Sequence, residues 1–293
     1  HFELRRYPSA ARRQHYEKNH KNHSSDHLHG RPSLCHDHGS HGLLSERDGA
    51  YRHSRQNAFR HICASDISDS RGRSYPLGGQ AELAEARAKN PDTVAWLYIP
   101  GAEVDDPVMQ AEDNGYYLKL DENGEYAMWG CYYAHCENEI GSRDKLDKNT
   151  TIFGHSASNC DPDGVRFTKL YRYMDADFVK ENPYIYLSVD GDDLIFQITA
   201  LFITDIEFDY INPNPIGGEL TDFFQTVERK NWLDFDGVTF SEEDAVLTLS
   251  TCCRKYDKAN SGNQRLVVMA KLLPEGATAQ EFSVSLVDSP EMP

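Results

Sequence analysis

Three side chains that could perform acyl transfer stand at the ends of predicted strands. Residues 245–252 (AVLTLSTC) form a β-branched segment typical of a strand, and it ends in the thiol of Cys252. His155 follows a second predicted strand, 150–153, and Arg265 opens a third strand after a polar loop. A free thiol has a pKa of about 8.5, so a cysteine nucleophile needs a neighbouring imidazole or cation. A thiol, an imidazole and a guanidinium at three strand ends therefore predict a site for acyl transfer.

The histidines offer a different hypothesis, a metal site near the N-terminus. Of the 13 histidines, 11 lie within residues 1–75. Six of them are closely spaced: His23, His27, His29, His36, His38 and His41. Such a cluster can chelate Zn²⁺ or Ni²⁺, but the irregular spacing favours weak, adventitious binding.

The seven cysteines give no regular pattern. Their odd number and the absence of a CxxC pair argue against a disulfide framework and against a structural zinc site. A four-ligand set can be drawn from Cys131, His135, Cys136 and Cys160, but partly buried thiols are the more common situation. We expect no metal and no other cofactor.

The charge distribution divides the chain into three parts. Residues 1–75 hold 13 basic and 8 acidic residues, a net charge of +5, and show no apolar period. This His-rich segment is predicted to be disordered, since it cannot bury enough apolar surface to fold. Residues 76–273 carry the candidate site and form the predicted catalytic domain. Residues 274–293 are predicted to form a polar, loose C-terminal tail.

The composition excludes several classes of protein. With 39% hydrophobic residues the chain can bury a core, and its net charge of −17 disfavours binding to nucleic acid or to an anionic membrane. The longest apolar stretch, 194–204, is about half of a membrane span, so no transmembrane helix is predicted. The chain begins without Met, and we expect any membrane anchor to lie outside it.

Short β-rich segments dominate the predicted domain. One helix is predicted at 81–88 and a second, amphipathic one at 219–230, with shorter helical stretches at 166–174 and 175–181. The predicted strands are 93–99, 103–110, 127–133, 150–153, 184–189, 194–204, 245–251 and 265–273. Eight strands with few helices predict a mainly β barrel or sandwich rather than a doubly wound parallel sheet.

The motifs around the candidate site resemble those of the sortases, the cysteine transpeptidases of Gram-positive cell envelopes, and within them class B. The segments that carry the resemblance are Thr248-Leu-Ser-Thr-Cys252, Thr151-Ile-Phe-Gly-His155 and Gln264-Arg265-Leu-Val-Val. Three upstream segments are also similar to the sequences of class B sortases: NPDTVAWLYIPG (90–101), VDDPVMQ (104–110) and DNGYYL (113–118). The likeness covers about residues 76–273.

This resemblance implies an eight-stranded sortase-type β-barrel with an N-terminal helix and a long helix between strands six and seven. It implies that Cys252 attacks the Thr carbonyl of a C-terminal sorting signal, NPxTN-like or NPxTG-like, and forms a thioacyl enzyme. His155 would act as general acid and base, and Arg265 would support the oxyanion. Ser250, Thr251 and Asn138 match positions that bind substrate in the family.

The resemblance also implies partners and a location. The acyl donor would be a surface protein that bears a sorting signal, and the acceptor would be an amine on a peptidoglycan precursor or a pilin. The enzyme would act at the extracytoplasmic face of the membrane and cell wall. Departures from the family pattern are Cys253 and Arg254 directly after the nucleophile, and the longer loop that follows His155.

Two other functions remain open from the sequence. A cysteine hydrolase of the same fold would pass its acyl group to water, because the sequence does not determine which acceptor reaches the thioester. A non-catalytic sortase-like binding module would be expected to lose Cys252, His155 or Arg265, and all three are present. A protein whose function is metal binding by the His-rich segment is the least favoured.

Overall fold

Eight β-strands close into a barrel in the computed structural model of the chain. The structure describes residues 67–68, 74–75, 79–236, 238–257, 262–275 and 283–293. In the N-terminal part, β1 (Ile67–Ser68) pairs with β2 (Ser74–Tyr75). The predictions for the rest of residues 1–75, including the histidine cluster, lie outside the described residues.

The barrel is built from strands of three to thirteen residues. They are β3 (Thr93–Ile99), β4 (Val104–Met109), β5 (Tyr132–Ala134), β6 (Asn149–Phe153), β7 (Tyr184–Val189), β8 (Asp192–Thr204), β10 (Val246–Cys252) and β11 (Arg265–Leu272). Around the barrel their order is β10-β11-β8-β7-β3-β4-β5-β6, and β6 closes back onto β10. Two of the pairings, β4 with β5 and β6 with β10, are parallel.

Helices cover the outside of the barrel. They are α1 (Gly79–Lys89), α2 (Ala176–Glu181) and α3 (Gly218–Lys230), with 3₁₀ turns at Pro100–Ala102, Tyr116–Leu118, Arg143–Lys145 and Arg166–Met174. The N-terminal helix is α1, and α3 lies between β8 and β10, the sixth and seventh strands of the barrel. The predicted sortase-type architecture is therefore confirmed. Across the described ranges, no helix combines the length and the apolar character that crossing a bilayer requires.

The predicted strand at 127–133 begins too early. Only Tyr132–Ala134 pairs as β5, because residues 127–130 form a turn in which the Gly130 N–H donates to the carbonyl of Ala127. Gly130 has a φ of +51°, and a Cβ there would lie 2.5 Å from the carbonyl oxygen of Tyr117. Glycine is required at this turn by both its backbone angle and the close approach.

The C-terminal tail is partly ordered, although a loose tail was expected. Residues Val284–Leu286 form β12, which pairs antiparallel with β9 (Leu233–Phe235) outside the barrel. β9 follows α3 directly, so its backbone groups need a partner that the barrel does not supply. β12 supplies that partner. This pairing could not be predicted, because β12 is a short segment within a polar tail.

Alternation along the strands separates an interior from an outer face. In β10, Leu247 and Leu249 point into the barrel core, whereas Val246 packs outside it. In β11, Leu266 and Val268 belong to the interior cluster. Because side chains alternate along a strand, Cys252 shares the outer face with Val246, and Arg265 lies on the outer face of β11.

The apolar stripe of α3 covers this outer face. Leu220, Phe223, Phe224 and Val227 are buried, and they form a cluster with Phe202 of β8 and Val267 and Met269 of β11. Each such side chain stabilises the fold by about 1.5–3 kcal/mol on burial. The covered region ends before Cys252 and Arg265, which are both only half-buried at the strand ends.

The corner between β6 and His155 is packed without spare space. Gly154 is buried there, and an added Cβ would lie 2.7 Å from the ring of Phe167 and 2.9 Å from the ring of Tyr132. Both rings are buried in the interior cluster, so neither can move away freely. Only glycine fits directly before His155.

We therefore predict that Gly154→Ala destabilises the protein. Overpacking against two buried rings should lower the free energy of unfolding by about 1–3 kcal/mol, measured by urea denaturation. Gly218→Ala, at the first residue of α3, is the matched control, because nothing lies within 4 Å of its added Cβ. Equal stability of the two variants would contradict the packing argument.

Candidate active site

Cys252 and Arg265 face each other across two paired strands. Cys252 is the last residue of β10, Arg265 is the first residue of β11, and the antiparallel register pairs them directly. Directly opposite residues have Cβ atoms about 5 Å apart and lie on one face of the sheet. The thiol and the guanidinium are therefore neighbours at the open edge of the outer face.

His155 reaches the same edge from the other side of β10. The parallel pairing of β6 with β10 aligns Phe153 with Ser250, and His155 lies two residues beyond Phe153, as Cys252 lies two beyond Ser250. Parallel strands end at the same edge of a sheet, so the two catalytic candidates emerge side by side. The three residues predicted from the sequence are thus brought together on adjacent strands.

Side-chain hydrogen bonds fasten the His155 corner to the Cys252 strand end. The Thr251 hydroxyl donates to the carbonyl of Gly154 (2.7 Å), and the Ser156 hydroxyl donates to the carbonyl of Cys252 (2.9 Å). The Gly154 N–H in turn donates to the Ser250 carbonyl (3.2 Å). These three bonds continue the strand pairing beyond the end of β6 and hold the corner in place.

The imidazole of His155 is oriented by the segment that precedes β5. Its Nε2 lies 2.7 Å from the carbonyl oxygen of Leu118. A carbonyl oxygen only accepts, so Nε2 carries the hydrogen in this bond, and Nδ1 is the nitrogen left to exchange a proton. The indole of Trp129 packs edge-on against the imidazole, with ring centroids 6.2 Å apart.

Two buried tyrosines lie beside the thiol and the guanidinium. Burial raises the pKa of Tyr133, the Cys252 charge raises it further, and the Arg265 charge opposes the rise. Burial also raises the pKa of Tyr210, against the hydrogen bond with Ser250 and the charge of Arg265. Both phenols therefore stay neutral at physiological pH.

Ser250 and Thr251, both predicted to bind substrate, are buried beneath the site. The Ser250 hydroxyl shares a hydrogen bond of 2.9 Å with the Tyr210 hydroxyl, and Thr251 is bonded to Gly154 as described. Their exposed fractions are only 1% and 3%. The structure thus places both in the strand that ends in Cys252, with Ser250 on the face of the thiol and Thr251 on the opposite face.

Asn138, the third residue predicted to bind substrate, is buried beside β6. Its amide Nδ2 donates to the Asp147 carboxylate (3.0 Å) and to the carbonyl of Asn149 (2.8 Å). Its Oδ1 accepts from the N–H of Thr151 (2.8 Å). All three bonds go to the residues in or before β6, so Asn138 supports the strand that leads to His155.

The guanidinium of Arg265 is held by the loop before β11. Its Nη1 donates to the carbonyls of Gly262 (2.9 Å) and Gln264 (3.0 Å). Because Nη1 has two carbonyl partners, the plane of the guanidinium group is fixed. A fixed, permanently charged fork suits the stabilisation of a developing oxyanion.

The second cysteine of the Cys252-Cys253 pair points to the opposite side. Cys253 is fully buried in the interior cluster of the barrel, whereas Cys252 is half-exposed. This agrees with the alternation expected along the strand. Among the residues that the structure describes, no three His, Cys, Asp or Glu side chains are grouped to hold a metal ion, so the four-ligand set of Cys131, His135, Cys136 and Cys160 is not assembled.

Several residues of the site were not predicted from the sequence. Leu118 acts through its backbone carbonyl, and Trp129 and Tyr210 come from loops that precede β5 and α3. A backbone carbonyl has no sequence signal, and the two aromatic residues stand far from the strand motifs. Ser156 had a weak signal, because it directly follows the candidate histidine.

Comparison with known proteins gives one consistent family over nearly the whole barrel. The sortase domain family matches residues 97–273. The sortase B of Listeria monocytogenes is 32% identical over 193 residues, which is 66% of this chain and 74% of that protein. A Staphylococcus aureus sortase B–substrate complex has a TM-score of 0.56 at 25% identity, covering 66% of this chain and 85% of that one. A sortase B complexed with triglycine is similar at 25% identity with a TM-score of 0.56, covering 67% and 86%.

The burial of the cysteines predicts a selective alkylation. Iodoacetamide should label Cys252 in the folded protein and leave Cys253 and Cys131 unlabelled, because both are buried and burial raises the pKa of Cys131. Peptide mapping by mass spectrometry gives the sites, and unfolding in urea should make all three reactive. Labelling of Cys253 as fast as Cys252 in the native protein would contradict this placement.

Proposed function

Since the chain belongs to the sortase family, and within it to class B, it is a sortase-type transpeptidase, and we propose that Cys252, His155 and Arg265 perform its reaction. The observation that carries the assignment is the strand pairing. It places Cys252 opposite Arg265 and brings His155 to the same edge on the adjacent parallel strand. Family membership alone would not select these three side chains.

In the first half of the reaction Cys252 is the nucleophile. Its Sγ attacks the Thr carbonyl of the sorting signal, and the carbonyl oxygen becomes an oxyanion. When the tetrahedral intermediate collapses, the C–N bond breaks, a thioester to Cys252 remains, and the C-terminal tail leaves as an amine. The half-exposed position of the thiol at a strand end makes it accessible to an extended peptide.

His155 moves the protons in both halves. It takes the proton of the Cys252 thiol and passes it to the leaving amine. It later takes a proton from the incoming amine, which attacks the thioester, and returns that proton to the departing thiolate of Cys252. With Nε2 bonded to Leu118, the exchange takes place at Nδ1. The bond to a backbone carbonyl holds the imidazole so that this nitrogen keeps one direction.

Arg265 stabilises the oxyanion and orients the substrate. Its position directly opposite Cys252 puts a permanent positive charge beside the carbon that the thiol attacks. Donors placed where charge develops contribute several kcal/mol to a transition state. The two carbonyl partners of Nη1 keep the fork in place before substrate arrives.

The substrate groove is shaped by three buried residues that hold its strands in place: Ser250, Thr251 and Asn138. Ser250 and Thr251 anchor the end of the strand that carries the thiol, and Asn138 anchors β6. They would thereby set the width and depth of the groove that receives the Thr of the signal. Because all three side chains are buried, they contribute to substrate binding mainly by holding the strands of the groove, not by contacting the substrate.

The acyl donor is a surface protein with an NPxTN-like or NPxTG-like sorting signal, and the acceptor is an amine of a peptidoglycan precursor or of a pilin. The similar sortase B structures in complex with a substrate and with triglycine support a peptide donor and a short peptide amine as acceptor. Sortases act at the cell envelope. We place this reaction at the extracytoplasmic face of the membrane.

Intact-mass spectrometry tests the nucleophile and the signal together. The chain is incubated with sorting-signal pentapeptides that carry polar tails. We expect a mass gain equal to the N-terminal fragment of one peptide, in the wild type and in Cys253→Ala but not in Cys252→Ala. Cys253→Ala is the matched control, since it removes the neighbouring thiol from the core side.

The outcome with an added amine separates two reactions of the same site. Ligated product in the presence of triglycine supports transpeptidation, whereas hydrolysed peptide alone indicates a hydrolase. An adduct that persists in Cys252→Ala would overturn the assignment of the nucleophile.

Replacement of Arg265 by lysine tests the role of the fork. Arg265→Lys keeps the charge but loses the planar donors, so kcat/KM for peptide cleavage should fall about 10- to 1,000-fold. Arg229→Lys, at an exposed position of α3, is the matched control and should be within about twofold of the wild type. If Arg265→Lys cleaves as fast as the control, oxyanion support must come from another group.

A further inference from the structure

An exposed apolar surface borders His155 on the side of the loop before β5. Five of the ten large apolar side chains that are exposed in the described part of the chain belong to it. We call it the rim surface, and its residues are Leu118, Tyr126, Met128, Trp129 and Val165. Tyr126 and Met128 are 72% and 59% exposed. Clustered exposure of this kind marks a binding surface more often than scattered apolar residues do.

The rim surface is held in a defined shape. Leu120 and Tyr126 form a β-bridge, and the Ala127 N–H donates to the carbonyl of Lys119 (2.9 Å). The Lys119 ammonium donates to the carbonyl of Met128 (2.9 Å). The exposed side chains therefore project from a closed hairpin rather than from a free loop.

Two contacts join the rim surface to the rest of the site. Arg166, which follows Val165, donates from Nη2 to the carbonyl of Gly130 (2.7 Å), and so brings the loop after His155 against the hairpin. Leu118 and Trp129 both contact the imidazole of His155. The rim surface thus begins at the imidazole of His155.

The charge around the rim surface is negative. Residues 112–130 hold five carboxylates and one lysine, and Arg166 adds one positive charge 4.0 Å from the Glu122 carboxylate. Of these, Glu125 is exposed beside Tyr126, and Asp121 shapes the hairpin turn by accepting from the N–H groups of Asn123 and Glu125 (both 2.9 Å). Aromatic faces next to carboxylates attract cations that carry apolar groups.

Of the two substrates, the amine acceptor is the one that the reaction brings to this surface. The attacking amine must give its proton to His155, so it approaches the thioester from the His155 side. The chain that carries the amine then continues over the neighbouring protein surface, which is the rim surface. An amine substrate is itself cationic before it reacts, and its charge complements that of residues 112–130.

We propose that the rim surface binds the acceptor, and that it selects a peptide amine whose chain carries a positive charge and an apolar side chain. This rests on the proposed function of Cys252 and His155. Trp129 and Tyr126 contact the apolar side chain, and Glu125 attracts the charge. The acyl donor binds to the groove over β10 and depends little on these residues.

A binding experiment tests the proposal without using the reaction. The full chain with Cys252→Ala is titrated with Gly-Lys-Phe amide and followed by NMR chemical shifts. We expect the largest shifts in residues 118–130, and a Kd about fivefold or more weaker when Trp129→Ala is added. Leu286→Ser, which removes an exposed apolar side chain from β12, is the matched control and should leave the Kd unchanged. Shifts elsewhere, or equal Kd values for all variants, would overturn the proposal.

A kinetic experiment then separates the acceptor from the donor. The donor peptide ends one residue after the scissile bond, so that its leaving group does not extend over the rim surface. Tyr126→Ala, which truncates the most exposed side chain of the rim surface, should lower kcat/KM for Gly-Lys-Phe amide about fivefold or more, while the rate of thioacyl formation stays within about twofold. Glu125→Gln should reduce the preference for this acceptor over triglycine.

The two experiments distinguish failure of this inference from failure of the proposed function. Absence of a thioacyl enzyme in the wild type would refute the role of Cys252, and the titration would still decide whether the rim surface binds the amine. An equal loss of thioacyl formation and of acceptor transfer in Tyr126→Ala would show a general effect on His155. That result would contradict an acceptor surface.

Discussion

The parallel pairing of β6 with β10 is the constraint on which the site depends. It brings the strand that leads to His155 beside the strand that ends in Cys252, and Asn149 fastens the pair. The Thr248 hydroxyl donates to Asn149 Oδ1 (2.6 Å), while Asn149 Nδ2 donates to the carbonyl of Tyr210 (2.8 Å). One buried amide thus links both strands and the loop that supplies the tyrosine. A buried polar group with all its bonds made rigidifies its surroundings.

The same pairing explains why adjacent cysteines have different chemistry. Cys252 opposes Arg265 on the outer face, and the next residue, Cys253, is packed in the interior of the barrel. A slip of one residue in the register of β10 would exchange the two thiols. The interior cluster opposes such a slip, because it would move Leu247 and Leu249 out of the core. The interior packing of Leu247 and Leu249 therefore determines that Cys252, and not Cys253, is the exposed thiol at the strand end.

The sequence predicted what local patterns control. Short β-rich segments between turn residues indicated all eight barrel strands, and the amphipathic stripe of 219–230 located α3 within one residue. Position at strand ends made Cys252, His155 and Arg265 candidates, and the resemblance of the surrounding motifs to sortases selected them. The contacts of Leu118, Trp129 and Tyr210 were not predictable, because they depend on where long loops return to the barrel. The burial of Asn138 could not be predicted for the same reason, since its partners lie in and before β6.

The segment that orients His155 is also the segment that exposes the rim surface. Leu118 holds Nε2 through a backbone carbonyl, and Trp129 of the same hairpin packs against the ring. The proposed acceptor site and the contacts that position the imidazole therefore belong to one hairpin. Since Gly130 closes the hairpin at a φ of +51° against the backbone of Tyr117, the hairpin has little freedom to move alone. The same hairpin can thus present a fixed surface to a ligand and a fixed carbonyl oxygen to His155.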